Sequence, residues 1–371
     1  MGSHLKFTLG AARRALAVLA LLLVPAAYAE DIDIFMANVA AGAAVQPNIM
    51  IWVDNSSNWS RESQKWPDNG GEQGRAEIAA LQNVLASGAL PANMGFAGQT
   101  GSGQTVGGYV RFGIRNMQVA ANKTALNNTL TSIRDNINSS KEKINTAEPA
   151  AAMFEMYRYF TSGKVFRGGY VSGNDPASNV DTSVFDPADS RKYQGPPANS
   201  CGRNYLIMVV NNVNGSVPEG ADKYDGEKFT GQAITGTGDS YIDEWARFLY
   251  QQGISVYILD AYNKQQDKTY SRILERAANV GGGKYYAVKN QSQIETAFKQ
   301  ILAEINAVNS TFATASLPIS ATNRSQNLNQ VFIGMFRPDG EAEPRWMGNL
   351  KRYQLVKKAS GVDLGDAVKA D

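Results

Sequence analysis

Apolar and polar positions divide the chain into two kinds of segment. Short continuous apolar runs bounded by turn residues predict buried strands, and apolar residues repeated every three or four positions predict amphipathic helices. The two kinds alternate over residues 48–308, which predicts an α/β fold, a doubly wound, mostly parallel sheet with helices on both faces. The predicted strands are 49–53, 110–117, 204–210, 254–259 and 284–288, and the predicted helices are 75–86, 123–137, 146–160, 241–250, 270–280 and 291–308.

Two segments lack a clear period. Residues 88–108 are rich in Gly, Gln and Thr, which favours a mobile loop. Residues 161–200 form a long polar stretch, and loops of this length are usually functional or disordered.

The pattern changes after residue 308. Three strand-like segments follow one another without a helix between them, at 312–319, 329–336 and 350–356. This order predicts a small antiparallel β unit over 309–358. Residues 359–371 are polar, which predicts a flexible end leading toward a further C-terminal domain.

The first 29 residues have the composition of a secretory signal peptide. Lys6, Arg13 and Arg14 precede an apolar run at 15–24, and the small-x-small site at 27–29 favours cleavage before Glu30. A membrane anchor is the weaker alternative, because the apolar run is too short to span a bilayer. We therefore expect export, with no membrane-spanning segment in the mature chain.

Charge and histidine content narrow the function. Cleavage removes three of the 36 basic residues and none of the 34 acidic residues, leaving a net charge of −1, which argues against a nucleic-acid partner. The single histidine, His4, lies in the signal segment, so Ser-His-Asp catalysis, Cys-His catalysis and His-ligated zinc are excluded. We expect a binding protein and not an enzyme. The single cysteine, Cys201, is expected to be a buried thiol, with a partner elsewhere as an open alternative.

The candidate site follows the first predicted strand. That strand ends in Asp54-Asn55-Ser56-Ser57-Asn58, at the strand end where open α/β sheets bind ligands. Alternate positions of such a loop can direct the oxygens of Asp54, Ser56 and Asn58 to one point, and hard cations prefer oxygen ligands. The alternative is a turn in which these side chains bond their own backbone.

This run resembles the Asp-x-Ser-x-Ser metal-ion-dependent adhesion motif of von Willebrand factor A domains, with Asn58 in place of the last Ser. The resemblance implies such a domain over 30–308, with two further ligand positions. Thr146 matches the first, although it also suits a helix N-cap. Asn212 takes the second, where the family has Asp. Because Asn212 is uncharged, Mg²⁺, Mn²⁺ or Ca²⁺ would bind more weakly, by roughly 1–3 kcal/mol, or not at all.

A second resemblance lies near the end of the chain. Phe332-Ile333-Gly334-Met335-Phe336-Arg337-Pro338 and Trp346-Met347-Gly348-Asn349-Leu350-Lys351-Arg352-Tyr353 resemble segments of type IV pilus tip-associated adhesins of the PilC/PilY family. The resemblance implies location in the periplasm, at the outer membrane surface and at the pilus tip. It also implies partnership with minor pilins or the pilus tip complex, and attachment to a host or abiotic surface ligand.

The expected function is therefore surface attachment and pilus assembly through an A-like domain. If the loop holds no metal, Trp59 and Trp66 are expected to form an exposed partner-binding rim. One alternative is a structural mechanosensing or pilus-priming module that binds neither metal nor ligand at this site. Another is a chelatase-type accessory subunit of an ATPase, which the signal segment opposes.

Overall fold

The computed structural model describes residues 46–61, 66, 71–87, 92–101, 106–197, 203–212, 241–262, 264, 267–309, 312–316, 330–337, 347–358 and 361–364. Side chains are described for these residues except 57, 58 and those from 307 onward. The expected signal segment and Cys201 lie outside these ranges. Within them, no helix combines the length and the apolar composition needed to cross a bilayer.

The described elements follow the predicted order, with further strands at 93–100, 185–186, 189–193 and 361–364 that the sequence did not predict. The strands are β1 (Asn48–Val53), β2 (Asn93–Thr100), β3 (Gly107–Asn116), β4 (Phe185–Asp186), β5 (Asp189–Tyr193), β6 (Asn204–Asn211), β7 (Ile254–Ala261), β8 (Gly282–Val288), β9 (Phe312–Ser316), β10 (Gln330–Arg337), β11 (Met347–Lys358) and β12 (Gly361–Leu364). The helices are α1 (Gln73–Ala86), α2 (Ala120–Asp135), α3 (Pro149–Phe160), α4 (Ile242–Gln251), α5 (Lys268–Val280) and α6 (Gln291–Asn309).

A central sheet of six described strands has the order β3-β2-β1-β6-β7-β8. Every neighbouring pair is parallel except β2 and β3, which are antiparallel. The predicted doubly wound, mostly parallel α/β fold is confirmed. β1 lies in the middle of this sheet, and the chain proceeds from it to β2 on one side and reaches β6 on the other. The carboxyl end of β1 is therefore at a topological switch point.

Each face of the sheet carries its own apolar core. Successive side chains of β1 point to opposite faces, so Met50 and Trp52 pack with α3, α4 and α5, while Ile49, Ile51 and Val53 pack with α1, α2 and α6. Every residue of β1 is buried. This two-sided cover explains why β1 is a continuous apolar run with no alternation.

β2 corrects the expectation of a mobile loop at 88–108. All residues of Asn93–Thr100 are buried, and the strand pairs with both β1 and β3. Its glycines are packing positions: a Cβ at Gly95 would lie 2.9 Å from the carbonyl oxygen of Phe112. The glycines that make this segment resemble a loop in composition are therefore required by the close packing of β2 against β3.

Residues 161–197, which we call the insertion, join α3 to the segment before β6 and correct the expectation of an irregular loop. They include 3-10 helices at Pro176–Asn179 and Thr182–Val184 and the β4–β5 hairpin. The insertion covers the outer edge of β3, because the Asp181 amide donates to the Val110 carbonyl (2.9 Å) and the Gly113 amide donates to Asp181 Oδ2 (2.9 Å). Covering an edge strand in this way prevents unwanted pairing.

Beyond α6, the strands β9 to β12 form an antiparallel sheet of order β12-β11-β10-β9. This confirms the predicted small antiparallel unit. It also corrects one detail, since Gly361–Leu364, expected to be flexible, pairs with the end of β11. The placement of a domain boundary near residue 308 stays a prediction.

Candidate functional site

Asp54 is the first residue after β1, and its side chain is buried. Its amide donates to the Val209 carbonyl (2.9 Å), which continues the pairing with β6. Its carboxylate accepts hydrogen bonds from the Ser56 amide (3.0 Å) and the Asn211 amide (3.3 Å). Burial raises the pKa of Asp54 to about 6, although its hydrogen bonds with Ser56 and Asn211 oppose that rise. The carboxylate is thus largely ionised at neutral pH but easily neutralised by acid.

Asn55 holds the loop in position. Its Nδ2 donates to the carbonyls of Gln99 (3.1 Å) and Glu142 (2.8 Å), and its Oδ1 accepts from the Gln99 amide (2.8 Å). All polar groups of this amide are therefore used to attach the loop to the end of β2 and to residue 142. The side chains of Asp54 and Ser56 lie on the other side of the loop from the side chain of Asn55, as the alternation along the loop predicts.

Asn211, the last residue of β6, is a site residue that the sequence analysis missed. Its Nδ2 donates to the Ser56 carbonyl (2.7 Å), and its backbone amide contacts Asp54. Its Oδ1 is buried and has no hydrogen-bond partner within the described residues. A buried amide oxygen without a partner is costly, and it is the kind of atom that a cation or a water would satisfy.

Asn212 does not occupy the position that the sequence predicted. Its Nδ2 donates to Ser271 Oγ (3.0 Å) and to the Asp267 carbonyl (3.3 Å), and its Oδ1 accepts from the Asp267 amide (3.0 Å). These bonds commit the side chain to the start of α5. The structure instead places Asn211 next to the loop: its backbone amide donates to Asp54 and its side chain donates to the Ser56 carbonyl. The parallel register of β1 and β6 is the signal that could have identified it, because both strands end at the same edge.

Thr146 lies close to the loop through Gln99, whose Nε2 donates to the Thr146 carbonyl (2.6 Å). It is not the helix cap, because α3 begins at Pro149 with Glu148 in the N-cap position. A role for its hydroxyl as a ligand stays a prediction. The side chain of Asn58 lies outside the described residues; its backbone belongs to the 3-10 helix Ser57–Ser60.

Trp59 and Trp66 do not form an exposed rim. Their relative exposures are 2% and 0%, and both belong to the core that packs α1, α2 and α6 against the sheet. Trp59 Nε1 donates to Glu77 Oε2 (2.7 Å), and Gly74 makes room for the indole, since a Cβ there would lie 2.5 Å from the ring. The loop after β1 therefore folds inward, and the expectation of a partner-binding tryptophan surface is wrong.

Buried acids surround Asp54. Burial raises the pKa of Glu77 to about 8, with the charge of Asp54 as a smaller contribution in the same direction. Burial and the charges of Asp54 and Asp260 raise the pKa of Tyr270. Asp260 itself accepts from Ser271 Oγ and Tyr285 Oη, both at 2.6 Å. With a pKa of about 8, Glu77 is largely protonated at neutral pH, so it is the ionised carboxylate of Asp54 that favours a cation over an anion.

The donor set suits a hard cation, with low affinity. Asp54 offers a carboxylate, Ser56 a hydroxyl and Asn211 an amide oxygen. All three residues lie where the carboxyl ends of β1 and β6 meet. Across the described ranges, no group of three or more His, Cys, Asp or Glu side chains is arranged to hold a metal ion. Cation affinity rises with ligand charge, so one carboxylate with neutral oxygens predicts weak binding.

Among known proteins, the chain shows similarity only to solved structures. No protein-family model matches the chain, and no curated protein matches it. The solved structures similar to it include the conserved hypothetical protein BatB from Bacteroides thetaiotaomicron, at 13% identity and a TM-score of 0.40, covering 70% of this chain and 98% of BatB.

Two further similar structures are adhesive or matrix proteins. The pilus adhesin SpaC from Lactobacillus rhamnosus GG has 12% identity and a TM-score of 0.40, with 86% of this chain and 37% of SpaC covered. Proximal thread matrix protein 1 from the mussel byssus, with a zinc-occupied MIDAS motif, has 11% identity and a TM-score of 0.38, with 73% and 49% covered. Likeness at this level carries no argument about function. The doubly wound α/β fold rests on the observed sheet order and strand directions.

Proposed function

We propose that this chain is an exported adhesion protein of a type IV pilus, in which the A-like domain binds a surface or a partner protein. The observation that carries the proposal is made at the switch point of the sheet: the backbone amide of Asn211 donates to the buried carboxylate of Asp54, and the side-chain Oδ1 of Asn211 is buried without a partner among the described residues. The resemblance of Phe332–Pro338 and Trp346–Tyr353 to pilus tip adhesins supplies the pilus context. Assembly at the pilus tip with minor pilins belongs to the same proposal.

The proposed role is binding, not catalysis. Asp54, Ser56 and Asn211 would hold a divalent cation, which when bound supplies an open coordination position for an oxygen of the partner. The chain's own contribution is rigidity: Asn55 fixes the loop to β2, and Asn211 fixes it to β6. A preformed site of this kind loses little entropy on binding.

Calorimetry tests the metal-binding part of the proposal. Mg²⁺, Mn²⁺ and Ca²⁺ are titrated into the EDTA-treated full chain and into Asp54→Ala, with Asp135→Ala on the α2 surface as the matched control. We expect dissociation constants on the order of 10⁻⁴–10⁻³ M, the range of weak extracellular sites, for wild type and control. The signal should disappear in Asp54→Ala. Equal heats in Asp54→Ala and wild type would show that the cation binds elsewhere.

Attachment is tested separately. Beads coated with wild type, Asp54→Ala or Asp135→Ala are placed on glass and on epithelial cells and washed under flow. We expect Asp54→Ala to release more readily than the other two, and EDTA to release the wild type. If no cation binds and all three adhere equally, the structural mechanosensing or pilus-priming alternative replaces the adhesion site.

A further inference from the structure

An open cleft lies between the insertion and the end of β2. Its volume is about 1230 Å³, somewhat above the roughly 300–1,000 Å³ of a small-molecule pocket. Thr100 and Gly101 line it from β2, and the remaining lining comes from residues 165–194 of the insertion. Asp54, Ser56 and Asn211 are not part of the lining, so this cleft is separate from the proposed cation site.

Two carboxylates, the half-buried Asp175 and the buried Glu155, hold the walls of the cleft in place. Asp175 accepts from the Thr100 hydroxyl, the Gly101 amide (3.1 Å) and the Ala177 amide (2.9 Å), which attaches one wall to β2. Glu155 of α3 holds the other wall. It accepts from the Phe166 amide (3.0 Å), the Arg167 amide and Tyr193 Oη (2.6 Å). The cleft is therefore preformed, which lowers the entropic cost of filling it.

The mouth of the cleft exposes apolar surface. Tyr170 is 63% exposed and Val171 is 44% exposed, and Tyr170 is the most exposed large hydrophobic side chain among the described residues. Phe166 and Phe185 line the cleft further along, and the Arg167 guanidinium lies 4.8 Å from the centre of the Phe166 ring. Aromatic rings at the edge of a preformed cleft give a ligand flat apolar contacts at a low entropic cost.

Polar groups lie between these rings. The exposed hydroxyls of Thr182 and Ser190 make no hydrogen bond within the described part of the chain. Asp186 accepts from the Ala188 amide (2.8 Å) and keeps further acceptor capacity. The charges in the lining are balanced, since it contains two arginines and two aspartates: Arg167, Arg191, Asp175 and Asp186. Balanced charge disfavours a polyanion such as nucleic acid.

A peptide fits this lining less well. A bound helix needs a continuous apolar groove, whereas apolar and polar side chains are mixed here. A bound strand needs an open edge, but β5 is already paired on both sides. β4 covers one side, and on the other the Val165 amide donates to the Arg191 carbonyl (2.8 Å). A sugar presents an apolar face and a rim of hydroxyls, which matches aromatic rings interspersed with hydroxyl and carboxylate groups.

We propose that this cleft binds an oligosaccharide of several sugar units, without a metal ion. Tyr170 supplies the stacking surface, and Thr182, Ser190 and Asp186 bond the sugar hydroxyls. The insertion then acts as a second adhesive site, independent of the cation site after β1.

An oligosaccharide array tests the proposal. The labelled full chain is applied in EDTA buffer to immobilised neutral and acidic oligosaccharides, and the best ligand is then titrated by calorimetry. We expect Tyr170→Ala to weaken binding at least tenfold, and Ser190→Trp, which fills the cleft, to abolish it. Tyr250→Ala is the matched control, because Tyr250 is an exposed tyrosine on α4, outside the cleft. Far-UV circular dichroism and melting temperature confirm that the variants fold.

Three outcomes would overturn the proposal: no oligosaccharide on the array binds, Tyr170→Ala and Ser190→Trp bind as wild type does, or binding requires Mg²⁺ and is lost in Asp54→Ala. The last result would place the sugar at the β1 loop. Failure of cation binding with sugar binding intact would contradict only the metal-dependent part of the proposed function, so the two proposals are separable.

Discussion

The side-chain amide of Asn211 determines how much charge the β1 loop can offer. The backbone amide of Asn211 donates to Asp54, and its side-chain Oδ1 has no partner among the described residues. The side chain of Asn212 is instead bonded to Ser271 and Asp267 at the start of α5. We predict that Asn211→Asp strengthens Mg²⁺ binding by about tenfold or more, since one further ionic contact contributes on the order of 1.4 kcal/mol or more. The melting temperature in EDTA should fall, because two buried carboxylates then repel each other.

Asn212→Asp is the matched comparison. It places a charge where Oδ1 already accepts from Asp267 and removes the two hydrogen bonds that Nδ2 donates. The variant should lose stability and gain no cation affinity. Calorimetry and thermal melts of the two variants decide the assignment, and a gain in affinity confined to Asn212→Asp would reverse it.

Glu77 makes folding stability depend on pH. Its pKa is about 8 in the folded state against a usual 4.5, because burial disfavours its charge. Below pH 4.5 the carboxyl of Glu77 is protonated in both the folded and the unfolded state, so the free energy of unfolding carries no penalty from ionising it. As pH rises toward 8, the unfolded state ionises first and stability falls, by about 1.4 kcal/mol per pKa unit of difference.

We predict that the free energy of unfolding declines between pH 6 and 8 and that Glu77→Gln flattens this decline. Asp54 acts in the same sense but at lower pH, because its pKa is about 6. Urea unfolding at a series of pH values measures the slope. A slope unchanged in Glu77→Gln would show that another group is responsible.

At the scale of elements, α3 anchors the insertion through one side chain. Glu155 is fully buried and accepts from the backbone amides of Phe166, Arg167 and Gly168 and from Tyr193. Burial raises its pKa, and these hydrogen bonds oppose the rise. We predict that Glu155→Ala destabilises the protein by about 2–4 kcal/mol, because it leaves several buried donors unpaired.

Trypsin digestion measures the local effect of that variant. Lys164 and Arg191 are exposed in the insertion, and cleavage there should accelerate in Glu155→Ala before the remaining chain is cut. Glu275→Ala, an exposed glutamate of α5, serves as control. Cleavage at an unchanged rate would show that Glu155 is not what holds the insertion in place.

Elements with strong periodicity were predictable, and elements determined by tertiary contact were not. β1 and α6 follow from their apolar patterns within two residues at each end. β2 was missed because close packing against β3 selects glycine, which local propensity assigns to loops. The insertion was missed because its order comes from a distant carboxylate, Glu155. In the site, Asp54 was found from its strand, while Asn211 required the register of β6 against β1.

At the scale of the whole molecule, the candidate site joins the two central strands. Asp54 follows β1 and Asn211 ends β6, and an apolar core lies on each side of the sheet between them. A cation bound there would stabilise the fold as a unit, by about 2.7 kcal/mol at 100 times its dissociation constant.

We predict that Mg²⁺ raises the melting temperature at about pH 7.5 and has little effect near pH 5, where protons compete for the carboxylate of Asp54, whose pKa is about 6. Differential scanning fluorimetry with and without Mg²⁺ measures the shift, and Asp54→Ala should show none at either pH. A shift of equal size at both values would mean that Asp54 is not the ligand.

The two edges of the central sheet differ. The insertion closes the β3 edge, whereas β8 at the other end presents exposed residues such as Gly282 and Ala287 along its length. Two copies that paired through β8 would bury both free edges of their central sheets, and no third copy could add to them by the same contact. As far as the described strands show, pairing through the central sheet would therefore stop at a dimer and could not propagate into a filament.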